Sequence, residues 1–222
     1  MLQEIEHLTE HKEFKGSIAD LGGPSANMYG MDCEIDCDKE CMDCENLDLS
    51  HNRLTKLLKD CLEVHGVKSV FIRSGIRYDL AVNSPKYVEQ LVKHHVSGTL
   101  KIAPEHFSKS VLKLMNKDNS RLEEFVELFN KFSKGKNQSL RYYLMIGHPG
   151  DDMNEIKHLI RQVKTLQNIE QFQLFTPTPM TASTCMYWTS LDPKTLEPVV
   201  VVHDYNTKKK MKRAMLAAIK KR

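Results

Sequence analysis

The sequence predicts an α/β fold in which parallel strands are joined by crossover helices, and three observations predict it. Helical and strand-like patterns alternate five times, at spacings of roughly 30 to 50 residues, and that rhythm suits parallel strands linked by helices. Each strand-like segment is followed by a glycine, proline or polar loop, and loops after parallel strands share one face of a sheet, where α/β sites are built. The chain has 222 residues, 41% hydrophobic and 27% charged, enough for one sizeable core or a large piece of a barrel.

The elements follow in order. Leu2, Ile5 and Leu8 repeat at near-helical spacing, and Ser17-Ile18-Ala19-Asp20-Leu21 reads as a short strand ended by Gly22-Gly23-Pro24. Leu54, Leu57, Leu58, Cys61 and Leu62 lie on one helix face. Gly66 ends that helix and Ser69 to Arg73 is the next strand. Pro85 opens a helix through Tyr87, Val88, Leu91 and Val92, and Thr99 to Ala103 is a third strand stopped by Pro104. Leu122, Phe125, Val126 and Phe129 form a further helical face. Leu140 to Ile146 is a fourth strand, Met153, Ile156, Leu159, Ile160 and Val163 a helix, and Phe172 to Phe175 a fifth strand. The strands are expected in sequential order with helices on the outer face. The pattern opens on a helix rather than a strand, so a first strand is expected to be missing, which would leave an edge beside Ser17–Leu21 open to pairing.

Composition narrows the class. No apolar run approaches the roughly 20 residues of a membrane helix, and the acidic start, with Glu4, Glu6 and Glu10, does not read as a secretory signal. The expected compartment is the cytoplasm, where cysteines are reduced, metal-bound or catalytic. The net charge of +3 hides an asymmetry: residues 207–222 carry eight basic side chains and no acid, and the remainder has 24 basic against 29 acidic residues. The basic tail reads as a solvated helix with Met211, Met215 and Ile219 on its buried side. No aromatic residue interleaves its charges, which argues against a nucleic-acid surface.

The strand-end loops carry the candidate binding residues. Gly22 and Gly23 let a ligand approach the backbone, and their free N–H groups and carbonyls can hold charged groups; a tight turn before Pro24 explains them as well. Ser74, Arg77 and Asp79 follow the second strand, the last two as a surface ion pair in the simplest reading. Glu105 and His106 can accept hydrogen bonds from a ribose or move a proton, or cap the segment that starts at Phe107. In Gly147-His148-Pro149-Gly150-Asp151-Asp152 one of the acids is expected to cap the following helix, whereas a strand-end loop seldom needs the His148 imidazole for stability.

Cys33, Cys37, Cys41 and Cys44 fall within twelve residues of a loop crowded with acids. Cys37-x3-Cys41-x2-Cys44 can wrap an iron–sulfur cube with one open iron, and four thiolates can equally enclose zinc or a four-cysteine cluster. Four ligands would close the coordination shell, so a metal held for structure is expected. Cys61 belongs to a helix's apolar face and is expected in the core.

A resemblance then organises these residues. Gly16-Ser17-Ile18-Ala19-Asp20-Leu21-Gly22-Gly23-Pro24-Ser25-Ala26-Asn27-Met28-Tyr29 resembles the signature of YgiQ-type radical S-adenosylmethionine (SAM) proteins. The likeness continues through Phe71 to Leu80, His94 to Gly98, Lys101 to His106, Gly147 to Gly150 and Thr176 to Thr184. It implies a partial (β/α) TIM-like barrel over 1–190, a cysteine-rich insertion at about 31–50 and the start of a C-terminal extension over 191–222. It also implies a [4Fe–4S] cluster that cleaves SAM reductively to a 5′-deoxyadenosyl radical, acting on a substrate the motifs do not specify. Gly22 and Gly23 would match the turn that holds the methionine amino group. Ser74 and His148 join them as cofactor-side residues, Glu105 would contact the ribose, and Gly147 and Pro149 would lie near the adenine. The family's cluster-binding C-x3-C-x2-C loop lies upstream of this signature, so Cys33, Cys37, Cys41 and Cys44 match a second cysteine-bearing insertion. The alternatives are a cluster-deficient remnant acting as a binding module, or one part of a split enzyme completed by a chain that supplies the N-terminal part.

Overall fold

The computed structural model describes residues 1–23, 27–33, 35, 44, 46–164, 166 and 168–220. They form two compact units, one of residues 1–102 with 121–140 and the other of residues 103–120 with 141–222.

In the first unit, helix α1 (Leu2–Glu10) precedes strand β1 (Ser17–Ile18), which pairs in parallel with β2 (Ser69–Val70) in the register Ser17↔Ser69 and Ile18↔Val70. Both strands are shorter than their apolar runs. The Phe71 N–H donates to the Ile18 carbonyl and the Leu21 N–H to the Phe71 carbonyl. Beyond that the Arg73 N–H turns to the Asp20 carboxylate instead of a strand partner (2.8 Å). Helix α2 (Asn52–Glu63) buries Leu54, Leu57, Leu58 and Cys61, the face its spacing predicts. A short helix α3 (Tyr78–Ala81) that no periodicity marks comes next. Helix α4 (Pro85–Gln90), with proline at its start, continues as a π-helical turn over Leu91–His95. Helix α6 (Leu122–Ser133) packs Leu122, Phe125 and Phe129 inward and meets α3, α4 and the π-turn. Leu58, Tyr87, Leu91, Phe125 and Phe129 are among the largest fully buried side chains; each contributes about 1.5–3 kcal/mol by leaving water.

Strand β3 (Thr99–Glu105) alternates buried and half-buried residues, and a parallel bridge, Ile76↔Ile102, ties its start to the segment after β2. Pro104 lies inside this strand and does not stop it. Among the described residues β3 is a terminal strand of a sheet ordered β3-β4-β5, and a terminal strand can spare the missing N–H. The turn comes one residue later, at Glu105, whose φ is +65°.

In the second unit, β4 (Ser139–Ile146, the unit beginning at Arg141) pairs in parallel with β5 (Ile169–Leu174), with a register shift between Tyr142 and Tyr143. Helix α5 (Lys109–Leu114), also unmarked in the sequence pattern, is capped by the Ser108 hydroxyl. Helix α7 (Met153–Val163) is capped by Asp152 and buries Ile156, Leu159 and Val163, while Met153, expected on that face, is exposed. Helices α8 (Ala182–Thr189) and α9 (Tyr205–Lys220) complete the unit. Its core gathers Leu144, Ile146, Ile156, Leu159, Val163, Phe172, Met211 and Met215, so the tail helix is seated through the two methionines that its spacing singles out. Among the described residues no helix is long and apolar enough to cross a membrane.

Candidate functional site

Each unit gathers strand-end residues of its own. In the first, the loop after β1 meets the loop after β2. A Cβ at Gly22 would stand 1.9 Å from Ser74 Oγ and 2.9 Å from Asp20 Oδ1, so Gly22 is glycine because its own neighbours fill the space. Among the described residues nothing lies within 4 Å of a Cβ built on Gly23, so none of them covers its backbone there. Asp20 holds the arrangement: its Oδ1 accepts from the Arg73 N–H and, at 3.3 Å, from the Ser74 hydroxyl. Sequence reasoning placed Asp20 within a strand and gave it no role; the signal was an acid among apolar neighbours at a strand end. Arg77 and Asp79 form the expected ion pair at 2.5 Å.

The cysteine loop is closed at its base by a pair the sequence reading missed. Asn27 Nδ2 lies 2.8 Å from His51 Nε2, while His51 Nδ1 donates to the Leu49 carbonyl. The Nε2 therefore accepts from the amide, and Asn27 Oδ1 accepts the Arg77 N–H at 2.7 Å. His51 has φ +55° and stacks on Tyr87 with centroids 4.4 Å apart; burial pushes its pKa down. Cys33 is exposed and Cys44 half-buried; Cys37 and Cys41 lie outside the described residues. Among the described residues no group of three His, Cys, Asp or Glu side chains is placed to hold a metal ion. Cys61 is in the core, as expected, and Cys185 is exposed.

In the second unit the loops after β3 and β4 are joined by buried polar groups. Glu105 Oε1 pairs with Lys117 Nζ at 2.7 Å. His106 is fully buried and caps no helix; its Nδ1 accepts the Ser108 N–H at 3.0 Å. The ring proton is therefore on Nε2, which faces Asp151 Oδ1 at 3.5 Å, and both atoms lack any closer partner. Asp151, also fully buried, accepts the Gly147 N–H at 2.6 Å through Oδ2. Of the two acids only Asp152 caps α7; Asp151 fixes the strand-end turn. Gly147 has φ +76°, which favours glycine. His148 is buried, its Nδ1 donating to the Pro149 carbonyl and its Nε2 accepting from Ser183 Oγ, both at 2.8 Å. Burial lowers its pKa, with the Pro149 carbonyl and the Asp151 charge opposing. Lys208, counted in the sequence with the solvated tail charges, is only 6% exposed. Its stem packs against Gly147, and its ammonium lies 4.4 Å from the Tyr187 ring centroid. Glu105 with Lys117, and Gly147, His148 and Pro149 with Asp151, are thus brought together within this unit, as Gly22 and Ser74 are within the other.

By fold the chain is an α/β protein with parallel strands, similar to a solved radical SAM enzyme. Coproporphyrinogen III oxidase (HemN) of Escherichia coli matches with a TM-score of 0.53 over 79% of this chain and 38% of that one, at 15% identity. In sequence it is similar to UPF0313 proteins. It is 46% identical over 97% of its length to one of Methanosarcina acetivorans, and 40% identical over 96% to one of Fusobacterium nucleatum. It spans 31% and 40% of those two relatives. Residues 170–219 match a family model described as a domain of unknown function, DUF3362.

Proposed function

We propose that this chain is a segment of a radical SAM protein of UPF0313 type and that it binds SAM on its strand-end loops. The observation that carries the reading is the parallel α/β fold shared with a radical SAM enzyme, together with polar and glycine loops after β1, β2, β3 and β4. In this reading residues 1–190 belong to a partial TIM-like barrel, with an insertion at about 31–50, and 191–222 begin an extension. Gly22 and Gly23 receive the methionine amino group, Ser74 and Asp20 hold that turn, Glu105 takes the ribose, and Gly147, His148 and Pro149 border the adenine. The open approach to Gly23 and the left-handed turn at Gly147 fit a ligand lying against main chain.

The share of the chemistry proposed for this chain's strand-end loops is to bind and orient SAM. Reductive cleavage of SAM at a [4Fe–4S] cluster is proposed for the whole protein. Cys33, Cys37, Cys41 and Cys44 are proposed to hold a zinc or a second cluster for structure.

Equilibrium dialysis with radiolabelled SAM tests the binding. Saturable binding that Gly23→Val and Gly147→Val each weaken supports the reading; no saturable binding refutes it. Metal counting after anaerobic reconstitution with iron or zinc tests the loop, with Cys41→Ala expected to lose the metal.

A further inference from the structure

The second unit buries a cation that, among the described residues, no carboxylate accompanies. Lys208 is 6% exposed, and among the described residues no carboxylate pairs with it. The acid one turn earlier, Asp204, is committed to capping α9, accepting from the Thr207 N–H and hydroxyl. Asp151 is committed to the Gly147 N–H. The ammonium's hydrogen-bond partner is the Tyr187 hydroxyl, at a long 3.4 Å. A buried charge left in this state is costly, because the attraction of a ring and one weak hydrogen bond does not replace its water.

The geometry around it has the chemistry of a receptor. When Lys208 donates to Tyr187 Oη, the phenol's own proton is free, and the ammonium retains further N–H groups. Two donors 3.4 Å apart suit the two oxygens of one carboxylate or phosphate. The base of the arrangement is rigid: the stem of Lys208 rests on Gly147, where a built Cβ would stand 3.6 Å from Cγ and Cε. The Gly150 N–H donates to the Val200 carbonyl at 2.7 Å, which ties the segment leading to α9 to the same loop. Around the donors the rings form a string: His148 to Phe175 at 5.1 Å, Phe175 to Tyr187 at 5.8 Å, and Tyr187 to His203 at 4.7 Å.

We propose that Lys208 and Tyr187 form an oxyanion-binding site beside the Gly147 loop, taking the carboxylate or phosphate of a ligand whose remainder lies against the aromatic string. Both residues lie within 170–219, so this site gives that segment a recognition role. The inference stands on the Lys208 geometry and does not need the SAM reading.

The chain's single tryptophan provides the readout. Trp188 is 72% exposed and its ring meets that of Tyr187 at 5.5 Å, so an anion on Tyr187 changes its emission. The chain is titrated with pyrophosphate, with SAM, and with 5′-methylthioadenosine, which lacks the amino-acid carboxylate. A saturable emission change with pyrophosphate or SAM, but not with methylthioadenosine, is expected. It should weaken roughly tenfold or more in Lys208→Met, as loss of a charge-assisted contact implies. It should survive in Lys208→Arg and in Lys209→Met, whose ammonium lies over the Tyr205 ring. A response to SAM alone assigns the site to that carboxylate and reverses the orientation proposed above, in which the adenine borders Gly147; a response to pyrophosphate alone assigns it to another ligand's anion. No response to either anion, or an equal response in Lys208→Met, overturns the proposal. If Lys208→Met does not fold, Tyr187→Phe decides: unchanged affinity overturns the site and weakened affinity upholds it. SAM binding by dialysis that persists in Lys208→Met leaves the proposed function standing while this inference fails.

Discussion

Replacing Asp151 by alanine should destabilise the second unit more than any surface change in it. Asp151 is fully buried, and its two oxygens do different work: Oδ2 accepts the Gly147 N–H at 2.6 Å, and Oδ1 faces the proton-bearing Nε2 of His106 at 3.5 Å. Asp151→Ala leaves the buried Gly147 N–H without its acceptor and removes the carboxylate that the His106 Nε2–H faces at 3.5 Å. The orphaned Gly147 N–H costs about 1–3 kcal/mol and the weaker long contact to His106 adds to it, so a total of roughly 2–4 kcal/mol is expected. The double variant Asp151→Ala/His106→Leu should recover part of it, because the second substitution removes one orphan. Asp151→Asn keeps an acceptor for Gly147 but aims an amide N–H at the His106 N–H, and should fall between. Urea denaturation followed by circular dichroism gives the four midpoints and the coupling energy. A loss below about 1 kcal/mol in Asp151→Ala, or strictly additive losses in the double variant, would refute the idea that this carboxylate anchors the two loops.

Three further outcomes follow from the same geometry. His51, His95 and His148 have pKa values lowered chiefly by burial, so below about pH 6.5 the unfolded chain takes up protons that the folded chain refuses. Stability should be flat above that pH and fall as pH drops below it, by up to about 1.4 kcal/mol per pH unit for each histidine. Thermal midpoints from pH 8 to pH 5 measure it, and a midpoint that rises on acidification contradicts the assignment. Gly22→Ala should cost about 1–3 kcal/mol through the clash with Ser74 Oγ, and Gly22→Ala/Ser74→Gly should restore most of it; equal melting of the single and double variants would count against the contact. Asn27→Leu should make the loop between Asn27 and His51 more sensitive to limited proteolysis, because it removes the amide that His51 Nε2 accepts and the acceptor of the Arg77 N–H.

What the sequence made legible follows the range of the interactions. The faces of α2, α6 and α7 and the buried methionines of α9 were readable because their spacing is local and the core enforces it. Strand β4 was readable as a run cut by the Gly147 loop, whereas the strict alternation of its buried residues over eight positions appears only in the fold. Strands β1 and β2 were located but overextended, since apolar runs continue after Asp20 has diverted the ladder to the Arg73 N–H. Pro104 seemed a stop because a proline's cost depends on which strand edge it occupies, and that is a property of the sheet. Helices α3 and α5 and the π-turn carry too few residues for a period to show.

At the candidate site the divide is sharper. The glycines and His148 stood out because their residue types are unusual after a strand. Asp151, Asn27 and Lys208 did not: Asp151 is explained locally as a candidate cap, Lys208 as one lysine in a basic run, and Asn27 has no local signal, while His106 was a candidate whose buried partner the sequence did not reveal. Their partners lie across 45 residues for His106 and Asp151, 24 for Asn27 and His51, and 21 for Lys208 and Tyr187. Only folding distinguishes a charge that water satisfies from one that it does not. Lys208 and Lys209 are neighbours in the same helix, one buried and one exposed. The helical rotation that carries Met211 and Met215 into the core places Lys208 three residues before the first of them, on the same side. A lysine spaced in this way from apolar anchors is the pattern to look for in a basic tail, because it marks the one charge whose solvation the fold must replace.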